Sequence, residues 1–394
     1  MKKMFNRMLL LFSVFMLVST VFSVSAYYTQ KNRVITQDKY EYYTYPRMTK
    51  DLKMLQVNCS EIMYLESIGK TYQGRDIWMV KISDNPITNE KEPGVLLMGA
   101  HHGNEKPSFE VLIYFIKHLT EFYNKPDTDD DSDGKLNEDI IDGKDNDNDG
   151  LIDEDPSEER VRNIINNTQI FVIPMVNPDG VEADTRKNCV PPDGVNLNRN
   201  YGYKWELYDL FPQLYGGPWV SDPYSGNYRG EYPFSENETR AVRDFVEQNK
   251  INISLSYHSY GEVILYPWMH TSAKTPHEDL FISVGENISK IDGYYLYTGK
   301  AYPIPLPGGT LGTSENWLYG TQGILSFTME LCKRRAPTDP DVVHKYLIRH
   351  VGVNLYVCER ASTVHIDGPP RSKTVQGSFL HVLYLLRQMV HQQA

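Results

Sequence analysis

The chain has 394 residues, 40% hydrophobic and 23% charged, with a formal net charge of −11. That length suits one large domain with insertions and an ample core. Residues 127–155 alone hold fourteen Asp and Glu against two Lys, so the acidity belongs to one segment, and no nucleic-acid partner is expected.

At the N-terminus, Lys2, Lys3 and Arg7 precede an apolar run over 8–22, and Val24-Ser25-Ala26 supplies a small-residue cleavage pattern. The run is shorter than the ~20 residues a spanning helix needs, and polar sequence follows at once. Residues 1–26 therefore read as a signal peptide. The mature chain is expected to begin at Tyr27, to be secreted, and to be a monomer without a stable membrane anchor. In an exported chain, Cys59, Cys189, Cys332 and Cys358 permit one or two disulfides, with three full pairings open. None lies in a CxxC, which argues against a cysteine zinc site.

Residues 61–83 read as an edge hairpin turning near Gln73-Gly74. The short apolar run 95–98 reads as a buried strand and leads into His101-His102-Gly-Asn-Glu105. Pro107 can open a helix in which Val111, Leu112, Phe115, Ile116 and Leu119 recur at helical spacing. The acidic insertion, 127–156, repeats itself after sixteen residues: Asp129-x-Asp131-x-Asp133-Gly134 and then Asp145-x-Asp147-x-Asp149-Gly150, each with an apolar anchor, Leu136 or Ile152. Alternating acids before a glycine form the first half of an EF-hand-like calcium loop, but Ile140 and Pro156 stand where a bidentate Glu would complete it. Calcium ligands are expected at Asp129, Asp131, Asp133, Asp145, Asp147 and Asp149, with Asn137 and Asp153 contributing.

Beyond the insertion, the run 170–176 ends at Asn177, 253–257 at His258, and 324–329 at Glu330. Ser235-Glu-Asn-Glu238 reads as a capping box opening a helix toward Val246. Strands alternating with helices imply a layered α/β fold, in which ligands bind beyond the carboxyl ends of the strands. All four runs put polar residues at that end. Catalytic domain boundaries of 27–363 are expected, leaving a tail of unassigned role, 364–394, in which Phe379, Val382, Leu383, Leu386 and Val390 could share a helical face.

The polar residues at those ends make a coherent set. Two imidazoles and a carboxylate, with a second carboxylate as base, are what a mononuclear zinc hydrolase requires. His102 and Glu105, three apart on a loop, can converge on one ion, and His258 arrives from a separate strand. His101 is an alternative to His102, but Glu105 at i+3 favours His102. Glu330 closes an apolar strand, where a carboxylate is costly unless it functions, here as general base and then proton donor to a leaving amine. Asn198 and Arg199 suit a carboxylate, and Arg186 suits a developing oxyanion.

This ordered pattern, HxxE, a distant Asn-Arg pair, His-Ser-Tyr and a Glu closing Phe-Thr-x-Glu, resembles the zinc carboxypeptidases of the A/B/T family over roughly residues 42–360. The resemblance implies a mixed, mostly parallel eight-stranded sheet between helices in three layers. It implies one zinc on His102, Glu105 and His258, with Glu330 as base and Arg186 as the oxyanion group. Asn198 and Arg199 would clamp the terminal carboxylate of a peptide substrate. No long inhibitory pro-segment fits between Ala26 and the start of the match. Two departures stand out. Asn196 occupies the place of an Asp that orients a zinc-binding imidazole, and the tyrosine that closes over substrate is best matched by Tyr302, beside an inserted Pro303-Ile-Pro-Leu-Pro-Gly-Gly309. Glu315 falls where members preferring basic C-terminal residues carry an acid in the specificity pocket. A related amide hydrolase, such as a cell-wall peptidase or an N-acyl-amino-acid deacylase, is the alternative. A non-catalytic, calcium-dependent binding module is the more distant one.

Overall fold

The apolar runs assemble into one eight-stranded sheet, β1 (Met63–Lys70), β2 (Asp76–Ile82), β3 (Gly94–Met98), β4 (Gln169–Ile173), β5 (Ile253–Ser259), β6 (Val263–Tyr266), β7 (Tyr295–Thr298) and β8 (Leu325–Leu331), in the order β1-β2-β4-β3-β5-β8-β6-β7. The four central strands, β4, β3, β5 and β8, run parallel, and they are the four whose ends carry the motifs. Antiparallel pairings join β1 to β2, β2 to β4 and β6 to β8, so the sheet is mixed, as expected. The protein described by this computed structural model comprises residues 39–125, 158–299, 301 and 309–369. The signal peptide 1–26, the insertion 127–156 with Asp129, Asp131, Asp133, Asn137, Asp145, Asp147, Asp149 and Asp153, the candidate closing residue Tyr302, and the tail beyond Pro369 lie outside the described residues. Among the described residues no helix is long and apolar enough to cross a membrane.

Helices cover both faces of the sheet. Alternate strand residues point to opposite sides. Leu96, Met98, Phe171 and Ile173 meet Val242, Phe245 and Val246 of the helix Asn237–Gln248, and Trp317 and Leu318 of the helix Ser314–Gln322, in one buried core. On the other side lie the helices Pro107–Phe122 and Pro340–Arg360, which pack on each other. Pro107 stands in the first helical turn, and Val111, Leu112, Phe115, Ile116 and Leu119 are all buried, as their spacing predicts. The edge hairpin is also as read, with Gly74 at φ 81° in its turn. That turn is tied to the body by the buried Asp179, which accepts from Thr71 Oγ1 (2.8 Å), Gln73 N (2.9 Å) and Arg75 Nη1 (2.7 Å).

Two local expectations need correction. The capping box does not form, because Ser235 Oγ accepts from Asn200 Nδ2 (2.9 Å) and donates to Glu236 Oε1 (2.6 Å). The helix then starts at Asn237 with Glu236 as its N-cap residue and no side-chain cap bond. The run 170–176 is strand only to Ile173, since Pro174 has no N–H to continue the ladder. All four cysteines are unpaired, and Cys332 and Cys358 are buried.

Candidate active site

The loop after β3 carries His102 and Glu105, and its path is set by a close approach. A Cβ on Gly103 would lie 2.0 Å from the backbone carbon of Gly180, so only glycine lets this loop rest on the helix Pro178–Glu182. His102 Nδ1 is 2.9 Å from Glu105 Oε1, His258 Nδ1 is 2.9 Å from Glu105 Oε2, and the two Nδ1 atoms are 3.2 Å apart. All three side chains are buried. Tetrahedral zinc, with bonds of about 2.0–2.1 Å, holds its ligand atoms about 3.3 Å apart. The donor set and its spacing therefore fit that ion. The Ser259 N–H also donates to Glu105 Oε2 (3.3 Å) and helps fix the carboxylate.

Neutral amides back both rings. Asn196 Oδ1 lies 3.0 Å from His102 Nε2, and its Nδ2 donates to Gly226 O (3.0 Å), which fixes which way the amide faces. Asn198 Nδ2 lies 3.3 Å from His258 Nε2, while its Oδ1 accepts from Ser314 N (2.9 Å). Arg186 Nη1 reaches Glu105 Oε1 (2.9 Å) and His102 Nδ1 (3.2 Å).

The charges differ around the centre. Burial, then Arg186, lowers His102 to about 3, so this ring is neutral with a lone pair to lend. Burial alone would lower His258 as well, but the Glu105 carboxylate outweighs it and leaves that ring raised. Burial would raise Glu105, yet the two histidines hold it well below the usual carboxylate range.

Glu330 sits beside His258 in the β5–β8 ladder, on the same face and only partly exposed. Burial of its carboxyl, then repulsion from Glu105, pushes it up to about 7. Arg199 Nη1 donates to Asn198 O (2.6 Å), and its guanidinium feels Glu315 and Glu105 favourably, although burial lowers its pKa. Glu315 is buried at 1% exposure in the first turn of Ser314–Gln322, where it also acts on His258 and Glu330. The structure thus brings His102, Glu105, His258, Glu330, Arg186, Asn196, Asn198, Arg199 and Glu315 to one end of the sheet.

Sequence reasoning did not assign three further groups. Ser256 and Tyr201 bond to the histidines, and His101 faces away from the carboxylate, with Nε2 2.9 Å from Tyr201 Oη. The signal for Ser256 was its i, i−2 spacing from His258, which puts both on one strand face.

A family model described as zinc carboxypeptidase matches residues 48–346, well over half of the chain. The chain is 29% identical over 308 residues to the zinc carboxypeptidase of Saccharothrix mutabilis subsp. capreolus, covering 74% of this chain and 62% of that protein. It is 27% identical over 300 residues to zinc carboxypeptidase A 1 of Drosophila melanogaster, covering 71% and 58%. It therefore spans less than two thirds of the length of either. Its fold is similar to that of the carboxypeptidase A of Helicoverpa armigera, with a TM-score of 0.62 at 20% identity over 82% of this chain and 74% of that one.

Proposed function

The chain belongs to the zinc carboxypeptidase family, and from that premise we propose that it is a secreted, zinc-dependent exopeptidase that hydrolyses the last bond of peptides with a free C-terminal carboxylate. One observation carries this reading. His102 Nδ1, His258 Nδ1 and both oxygens of Glu105 converge beyond β3 and β5, with Glu330 on the neighbouring strand.

His102, Glu105 and His258 hold the metal. Zinc, when bound, supplies a Lewis acid that lowers the pKa of water and polarises the scissile carbonyl. Glu330 accepts the proton that water gives up in attacking the carbonyl, and passes it to the amine nitrogen that leaves, so the proton count closes on the two products. A carboxyl raised to about 7 suits a group that must both take and return a proton near neutral pH. Arg186 donates to the oxyanion that develops on the carbonyl. Arg199 takes the terminal carboxylate, assisted by the Asn198 amide, and Tyr302 closes over the substrate. Glu315, buried and unpaired with any cation in a salt bridge among the described residues, favours a basic C-terminal side chain. The paired Asp rows in 127–156 bind calcium and stabilise the chain without entering the chemistry, because no catalytic candidate lies there.

A digest of peptides in free-acid and C-terminally amidated forms tests the reading. Zinc removal should abolish cleavage of the acids, whereas a calcium-selective chelator should leave the chemistry intact and lower the melting temperature. Arg199→Ala should lower kcat/KM on free acids by the ~2–5 kcal/mol of a lost buried charge partner and change little on amides. Equal wild-type rates on both forms, or native protein without zinc, would reject the proposal.

A further inference from the structure

His101 and Ser256 lie behind the metal-facing rings, and neither is expected to touch metal or substrate. His101 is fully buried, its ring stacks on His258 with centroids 5.5 Å apart at 19°, and its Nδ1 is 3.3 Å from Ser256 Oγ. The same Ser256 Oγ is 3.3 Å from His258 Nε2. Beyond His101, its Nε2 meets Tyr201 Oη at 2.9 Å. Four side chains from β3's loop, β5 and the segment after Arg199 are thus joined end to end.

The direction of the first bond follows from one premise. A histidine that lends Nδ1 to a metal carries its proton on Nε2. The His258 Nε2–H then faces two atoms, Asn198 Nδ2 and Ser256 Oγ. Asn198 cannot accept, because Ser314 N–H holds its Oδ1 and leaves only hydrogens on the side toward the ring. Ser256 Oγ is the remaining acceptor. Having accepted, its own O–H is free to donate to His101 Nδ1, and in the tautomer that leaves this nitrogen bare His101 Nε2–H donates to Tyr201 Oη. In that tautomer the chain runs one way throughout.

We propose that Ser256 and His101 are positioning residues that hold the Nε2 proton and the tilt of His258, and so set how tightly zinc is bound. The inference rests on the reading that His258 is a zinc ligand. It has a side effect on Asn198. With Nε2 protonated, the Asn198 amide hydrogens find no acceptor on His258 and are left for an incoming carboxylate. The outer partners of ligand histidines are commonly worth 10–100-fold in metal affinity, and here the partner is a neutral hydroxyl relay instead of a carboxylate.

The test is equilibrium zinc binding by competition with a chromogenic chelator, alongside the ligand-field bands of the cobalt(II)-substituted protein, which report geometry where zinc is silent. Ser256→Ala and His101→Phe should each weaken zinc binding by about 10–100-fold and shift the cobalt bands. His101→Asn, which keeps an acceptor near the Nδ1 position, should recover part of the loss. If His101→Phe does not fold, Ser256→Ala, a deletion of one oxygen, carries the test. A wild type that binds one zinc while Ser256→Ala and His101→Phe match it within about twofold in affinity, with unmoved cobalt bands, overturns the relay and leaves the proposed function standing. A wild type that takes up no zinc overturns both, the site assignment first.

Discussion

Tyr257 and His258 are neighbours on β5 and look opposite ways, and the polar clusters they join are built to different standards. In front, every ring nitrogen of His101, His102 and His258 has a partner on a rigid element. Behind, Tyr257 Oη donates to Asn354 Oδ1 (2.7 Å), Tyr294 Oη meets His350 Nε2 at 3.4 Å, and Tyr294 N donates to Asp292 Oδ1 (2.8 Å). Yet Asn354 Nδ2, His350 Nδ1 and Asp292 Oδ2 are buried without a hydrogen-bond partner among the described residues. An unpaired buried polar group costs on the order of 1–3 kcal/mol. The front is organised to hold a charge in one geometry. The back is carried by the apolar packing around it, and its titratable groups draw on stability.

The largest effect expected from disturbing this contrast is on the front. Glu330→Gln should keep the zinc and lose about 10²–10⁴ in kcat, the usual worth of a positioned base. In the wild type kcat/KM should fall as pH drops and the Glu330 carboxyl protonates, with a midpoint below about 7, because a cation beside Glu105 removes the repulsion that helps raise it. A Glu330→Gln enzyme of near-normal rate would end the distinction between the two faces.

On the back, the readout is stability. Burial pushes Asp292 up to about 7, well above the unfolded value near 3.9. Between those limits the folded protein keeps a proton that the unfolded chain releases, so the contribution of Asp292 to stability is greatest below about pH 4 and is lost as pH rises through about 7. Asp292→Asn should therefore raise the unfolding free energy at pH 7.5 by about 2–4 kcal/mol and flatten its fall between pH 4 and 7. Urea titrations at those two pH values measure it, and an unaltered slope would mean that Asp292 is not the strained group. A smaller effect sharpens the front. Asn196→Asp would replace a neutral partner of His102 with a charged one and should tighten zinc by about 10–100-fold. Unchanged competition with a chelator would show that the Asn196 amide already orients the ring fully.

Most of the front face was legible in the sequence, and little of the back. Four apolar runs ending in polar residues mark four parallel strands, since a buried strand can tolerate a histidine or glutamate only where it leaves the sheet. The i, i+3 spacing of His102 and Glu105 is likewise local. By contrast, Tyr257 meets Asn354 across 97 residues, and nothing in either segment's periodicity announces the other. The role proposed for His101 was hidden because adjacency to His102 said nothing of where its ring would turn. The failed capping box has the same origin, because a distant residue, Asn200, takes the hydroxyl of Ser235 before the helix can use it. Short-range chemistry is written in short words, and competition from afar is not.

The ladder between β5 and β8 pairs Ser256 with Thr328, Tyr257 with Met329 and His258 with Glu330. Because side chains alternate along a strand, a slip of one residue would swing Glu330 to the far side of the sheet while His258 stayed in front. The proposed ligand and the proposed base thus come from two strands whose alignment leaves no intermediate setting. Turnover in a refolded sample would then act as a census of chains that zipped correctly, counting molecules that spectroscopic measures of strand content could not tell from their misaligned siblings.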